Sequence, residues 1–205
     1  MTRFLLSILM VTAGLVVVAG TATAGLPDPG NSTVSPIMTG SACGVTTADT
    51  YVVVVRDING APVGGATVTI DFSTASGNSG ISAPAHLHAV QIPPTVVDCP
   101  NQTLSQVADA SGTATFEGLF GGAENTASVE VRAEGVLLRL IKVRSTDMND
   151  NGETELGDLN LFRINFFLSP SAEESDFNQS GSTELGDLNI FRVEFFAGCV
   201  VPRCP

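Results

Sequence analysis

"DMNDNGETELGDLNLFRINFF", Asp147 to Phe167, returns as "DFNQSGSTELGDLNIFRVEFF", Asp176 to Phe196, with every matching position 29 residues later (176 − 147). Each copy opens on a polar, acidic dozen and closes on an apolar run. In the first run Leu159, Phe162 and Phe166 fall at helical spacing, and Leu161, Ile164 and Leu168 make a second stripe. The second copy repeats this with Leu188, Phe191 and Phe195 beside Ile190, Val193 and Phe196. The spacing predicts an acidic loop followed by one helix, and the fixed offset marks one unit used twice.

A hard cation such as calcium takes six to eight oxygens, which a twelve-residue loop supplies from positions 1, 3, 5, 7, 9 and 12 when glycine at position 6 permits the turn. The first loop offers Asp147, Asn149, Asn151, the backbone carbonyl of Glu153, Glu155 directly or through water, and Asp158, with Gly152 at the turn. The second offers Asp176, Asn178, Ser180, the carbonyl of Ser182, Glu184 and Asp187, with Gly181. Two Ca2+ sites are expected. The second is the weaker, because neutral Ser180 and Asn178 leave fewer carboxylates to offset dehydration of the ion. So small a unit needs apolar area for its own core, so the helices are expected to pack on each other. Two stripes per helix leave one to spare, to cover the rest of the chain or to meet a partner.

The residues before Asp147, "VLLRLIKVRST", read as a strand, and those before Asp176, "SPSAEES", as a linker with at most one helical turn. No helix enters either loop, and position 12 is Asp rather than the Glu of an EF-hand. A loop with only its exiting helix, duplicated, with Asp158-Leu159 and Asp187-Leu188 at its end, resembles the dockerin module over residues 145–197. The resemblance implies docking onto a cohesin-type protein, as in the scaffolds that gather secreted polysaccharide-degrading proteins. The family's contact positions fall on Leu156, Gly157, Arg163 and Ile164, and on Leu185, Gly186, Arg192 and Val193. Cellulosomal dockerins often carry hydroxyl residues where this chain has Leu-Gly, and a second basic residue in place of Ile164 or Val193. Because both copies keep Leu-Gly and Arg, either helix presents the same face, a dual mode known in the family.

Upstream the period is two. Val68, Ile70 and Phe72 alternate with Thr67, Thr69 and Asp71; Ala114 with Phe116, and Val129 with Val131 and Ala133, repeat the pattern. Turn signals separate these runs at Asp57-Ile58-Asn59-Gly60, Gly64-Gly65 and Asp109-Ala110-Ser111-Gly112. Short strands punctuated in this way predict a β-sandwich. "VVVVRDINGAPVGGATVTIDFS" with "VADASGTATFEG" resembles the bacterial immunoglobulin-like (Ig-like) repeats of secreted and surface proteins, over about residues 45–144. A carboxypeptidase-regulatory or transthyretin-like sandwich reads almost the same. These folds serve as spacers or binding modules, including for carbohydrate, and the fold alone names no ligand.

The chain opens with Arg3, an apolar run from Phe4 to Val18, and Ala22-Thr23-Ala24, the pattern of a cleaved export signal over residues 1–24. No later segment is apolar enough to cross a bilayer. The formal charge is −12, and ten of 21 acidic residues lie between Asp147 and Asp187 against one basic residue, Arg163. That balance disfavours nucleic acid and favours cations. Four cysteines in an exported chain point to disulfides; proximity pairs Cys43 with Cys99 and Cys199 with Cys204, one of three connectivities. His86-Leu87-His88 places two imidazoles on one side of a strand, but with no third ligand in sequence they read as surface histidines. Asn31 and Asn101 head sequons, of consequence in a host that glycosylates them. No Gly-x-Ser-x-Gly elbow occurs, and no catalytic domain is visible.

The expected chain is therefore multidomain. An export signal (1–24) and an N-terminal segment (25–44) precede an all-β Ig-like sandwich (45–144), a small α-helical dockerin-like pair of calcium loop-helix repeats (145–197) and a tail (198–205). The expected function is non-catalytic attachment outside the cell, secreted or at the cell surface, through a protein partner of cohesin type or through the chain's own sandwich. The rival readings are a structural surface protein that calcium only rigidifies, and an accessory part of a glycoside-degrading system.

Overall fold

The computed structural model describes residues 25–46, 50–75 and 80–205; the expected export signal lies outside them. Among the described residues the chain is mostly β-sheet with two short helices, compatible with a β-sandwich followed by small helices. One sheet has three strands, β1 (Thr33–Val34), β3 (Thr50–Val54) and β8 (Thr113–Glu117), in the order β1-β3-β8. The other has six, in the order β2-β11-β10-β4-β7-β6. Its members are β2 (Ile37–Gly40), β4 (Thr67–Asp71), β6 (Val96–Asp98), β7 (Thr103–Val107), β10 (Ala123–Ala133) and β11 (Val136–Ser145). A two-stranded ribbon joins β5 (His86–Leu87) to β9 (Phe120–Gly121).

The period-two stripes become the inner faces of these sheets. Tyr51, Val53, Ala114 and Phe116 from the small sheet meet Val68, Ile70, Leu104, Val129, Val131 and Ile141 from the large one in a single buried cluster. Full burial of each large apolar side chain contributes about 1.5–3 kcal/mol, which makes this layer the main source of stability. Residues 25–44, set apart in the sequence reading, supply β1 and β2. Ile37–Gly40 pairs in parallel with Lys142–Ser145, so this segment is part of the sheet body.

Helices α1 (Leu156–Leu168) and α2 (Leu185–Ala197) enclose a second core. It is built from Met148, Phe162, Phe177 and Phe191, each 0–1 % exposed. Phe162 stacks on Phe191 at 5.5 Å and on Phe177 at 6.0 Å. Met148 and Phe177 are the second residues of the two loops, so each repeat places its loop's anchor and its helix's Phe in the shared centre. The stretch before the second loop forms one 3-10 turn, Glu173–Ser175, as its sequence led us to expect.

The cysteine pairing differs from the expected one. Cys43 bonds Cys199, and Cys99 bonds Cys204. After α2 the tail turns back along the sheet body: Ala89 N–H donates to the Pro202 carbonyl (2.7 Å) and Cys204 N–H to that of Leu87 (2.8 Å). Proximity in sequence failed because this return brings distant residues together. The two bridges span 156 and 105 residues, and loop closure on that scale is worth about 4–5 kcal/mol each in the chain-entropy account.

Candidate metal centre

The two loops share the same framework of hydrogen bonds to their first and last Asp. In the first, Asp147 accepts from the Asn151 N–H through Oδ1 (3.1 Å) and from the Gly152 N–H through Oδ2 (2.9 Å). In the second, Asp176 accepts from Ser180 (2.9 Å) and Gly181 (3.0 Å) through the same two atoms. Gly152 and Gly181 adopt φ of 91° and 98°, where a side chain would be strained, which is the reason for glycine at the sixth position. Asp150 and Gln179, at the fourth position, are also left-handed, at 57° and 61°. The chain curls around the centre of each loop.

The last loop residue closes the ring. Asp158 Oδ1 accepts from Asn149 N–H and its Oδ2 from Glu155 N–H, both at 2.8 Å; Asp187 does the same with Asn178 and Glu184, also at 2.8 Å. Each also completes a capping box at the start of its helix, so the residue that ends the loop starts the helix. The side chains between crowd one point. Asn149 Nδ2 and Asn151 Nδ2 both stand 3.2 Å from Glu155 Oε1, and Asn178 Nδ2 stands 3.3 Å from Glu184 Oε1. Asn151 Oδ1 accepts the Glu153 N–H (3.0 Å), and the Ser182 carbonyl accepts the Ser180 hydroxyl (3.1 Å). Every side chain expected at a ligand position is thus held in its loop.

Asp147, Asp158 and Asp187 are fully buried. Burial pushes the Asp158 carboxyl up to about 7; backbone N–H groups of Glu155 and Asn149 pull it down, and Asp147 and Glu155 push it further up. Asp187 is raised for the same reasons, burial first. Carboxylates held together away from water raise the cost of their charge, and a cation in either loop would offset it.

The surroundings of the two loops differ. Oδ2 of Asp176 lies 3.5 Å from Nη1 of buried Arg144, and that guanidinium also donates to the carbonyls of Glu173 and Asp176. Oδ2 of Asp147 instead lies 3.2 Å from Nε2 of His88. His88 is fully buried, which corrects its reading as a surface histidine; His86 is half-buried. Asp150 turns out of the first loop, and its Oδ2 pairs with Arg203 Nη2 at 2.7 Å. Burial raises Asp150 to about 7 despite Arg203, with Asp147 adding to the rise. Sequence reasoning passed over Asp150 and Arg144, and weighed His88 only with His86 before reading both as surface histidines. Asp150 is no ligand position of the loop; His88 reaches the first loop from just past β5, and Arg144 reaches the second from β11.

The expected partner positions lie on the outer face of the helices. Leu156 and Leu185 are 64 % and 67 % exposed, Arg163 and Arg192 are exposed, and Ile164 and Val193 stand beside them. Phe167 (69 %) and Phe196 (76 %) extend the same stripe. The second apolar stripe therefore divides: Leu161 and Ile190 join the core, while Ile164, Leu168, Val193 and Phe196 face outward. Gly157 and Gly186 have a role inside the loops. A Cβ on Gly157 would stand 2.5 Å from Glu155 Oε1 and 2.7 Å from Asn149 Nδ2, and one on Gly186 would meet Asn178 Nδ2.

No family model, no curated protein and no solved structure matches the chain in comparison with known proteins.

Proposed function

We propose that this chain is an exported, non-catalytic attachment protein whose duplicated loop-helix unit binds two calcium ions and presents a protein-docking face. The unit resembles a dockerin, and the sheet body resembles an Ig-like domain acting as spacer or binding module. The observation that carries the reading is the repeated loop geometry: at both sites the first and last Asp accept backbone N–H bonds that curl the chain around one centre. Calcium supplies positive charge to buried carboxylates and orders the loops, which set the first turn of each helix. Ordered helices then hold Leu156, Arg163, Ile164 and Phe167, and their copies Leu185, Arg192, Val193 and Phe196, as two equivalent faces. A cation flanked by apolar groups fits an acidic, partly apolar patch on a protein partner, of cohesin type by resemblance. Association with polysaccharide-degrading proteins follows from that resemblance alone.

A second reading has its own support. Thr39 Oγ1 donates to the Phe177 carbonyl (3.1 Å), Glu174 accepts from Ile81 and Ser82, and two disulfides close the seam. A unit so anchored also suits a structural role in which calcium only rigidifies the chain end. Calorimetric calcium titration of the whole disulfide-bonded chain tests both. Two sites of micromolar or tighter affinity support the common part, and no calcium binding ends both readings. Calcium-dependent partner capture that fails when Arg163 and Arg192 are both replaced separates attachment from rigidification.

A further inference from the structure

We propose that His88, Asp147 and Asp150 form a further metal site, selective for a borderline divalent transition ion such as zinc, at the seam between the sheet body and the first loop. Ligand atoms from the three residues all lie within 4.8 Å of one another, and all three residues are buried. Three features point to an ion there.

The first is the state of the imidazole. His88 is fully buried, and neither ring nitrogen has a hydrogen-bond partner among the described residues. A neutral imidazole always carries one N–H, and leaving a buried donor unmet costs about 1–3 kcal/mol. Nε2 does lie 3.2 Å from Asp147 Oδ2, but the N–H is not aligned for a hydrogen bond. Two atoms each about 2.0–2.1 Å from one tetrahedral ion stand about 3.3 Å apart, so the spacing suits two zinc ligands.

The second is Asp150. Its Oδ2 pairs with Arg203, while its Oδ1 is buried without a partner among the described residues. The third is the space in front of these atoms. A Cβ on Gly121 would stand 2.5 Å from Asp150 Oδ1 and 2.7 Å from Asp147 Oδ2. The two oxygens face a common cradle that a glycine keeps open. Imidazole with two carboxylates suits zinc and its neighbours and is a poor set for calcium, which prefers oxygen alone.

Asp147 belongs to both sites: Oδ1 accepts the loop's Asn151 N–H, and Oδ2 accepts the Gly152 N–H while lying 3.2 Å from His88 Nε2. One carboxylate thus links the calcium loop to the zinc position. The second loop has no counterpart, because Arg144 occupies that side of Asp176. Arg203, whose side chain is 50 % exposed, pairs with Asp150 from the solvent-exposed side.

Zinc titration of the whole oxidised chain in saturating calcium tests the site. One zinc equivalent of micromolar or tighter affinity is expected, weakened at least tenfold by His88→Gln and by Asp150→Asn, with calcium stoichiometry retained. The chain has two histidines, so imidazole nitrogen NMR of the unsubstituted protein reads the site without any variant: zinc must shift His88 and leave His86 in place. Absence of zinc binding, or zinc that shifts only His86, overturns the proposal. So does a His88→Gln chain that loses calcium affinity while the parent chain binds no zinc, which would make His88 a positioning residue for Asp147. The zinc signal at His88 stands or falls whether or not the loops bind calcium, so the two readings fail separately.

Discussion

Arg144, one residue before the end of β11, carries its guanidinium across the seam to Asp176, where Nη1 lies 3.5 Å from the carboxylate that opens the second loop. Both side chains are nearly inaccessible, and burial lowers the arginine's pKa while Asp176 and Glu173 hold it up. Removing one partner of such a pair leaves the other charge buried alone, at about 3–5 kcal/mol. Arg144→Met is expected to lower unfolding free energy by about that amount in urea titration. A loss below about 1 kcal/mol would show that the second loop does not depend on this contact.

Calcium should stabilise the whole chain, since the loops are built into its seam. Ligand at a hundredfold excess over its Kd contributes about 2.7 kcal/mol per site. For a chain of this size that raises Tm by about 5–10 °C per site, read by differential scanning calorimetry with calcium and with a chelator. On chelation the helical circular dichroism signal should weaken while the sheet signal persists, because the sheet core is separate from the Phe162–Phe191 stack. An unchanged Tm would remove metal from the account of this unit.

Gly157→Ala separates two explanations of the Leu-Gly pair. If the glycine serves the loop, the new methyl displaces Glu155 and Asn149; overpacking of this kind costs about 1–3 kcal/mol, and calcium affinity at the first loop should fall about tenfold or more. Calorimetry of the variant resolves the first site from the unaffected second. Full calcium affinity with lost partner capture would assign Gly157 to the docking face instead.

The outward faces of α1 and α2 repeat Leu156, Arg163 and Phe167 as Leu185, Arg192 and Phe196, with Ile164 matched by Val193, so each should suffice alone. Arg163→Glu and Arg192→Glu singly are expected to leave partner affinity within about twofold, and together to abolish it. Exposed substitutions of this kind change stability by no more than about 0.5 kcal/mol. Loss of capture by one substitution alone would establish a single working face.

Local pattern made much of this molecule readable. The alternation of Val68, Ile70 and Phe72 announces an inner face, and the 29-residue repeat announces two loops with two helices, because strands, turns and loop-helix units are set by neighbours in sequence. What crosses the seam was not readable. The stretch "SAPAHLHAVQIPP" has no period, so nothing in it shows that His88 is buried beside Asp147. Cys43–Cys199 and Cys99–Cys204 depend on a tail that folds back after α2, and parallel pairing of β2 with β11 joins segments a hundred residues apart. Long-range choices of this kind are decided by packing of the finished layers. The exposed positions of Phe167 and Phe196 likewise follow from which stripe the small core uses first.

The tail's return to the sheet body has a mechanical meaning. A pull applied at α2 passes through Cys199 directly to Cys43, and Cys204 ties the chain end to Cys99. The load travels along covalent bonds, so the β10–β11 ladder is not in series with it and need not unzip. Helix and sheet body therefore share the load, and in the proposed attachment role the chain would resist a pull for as long as these covalent links stay oxidised.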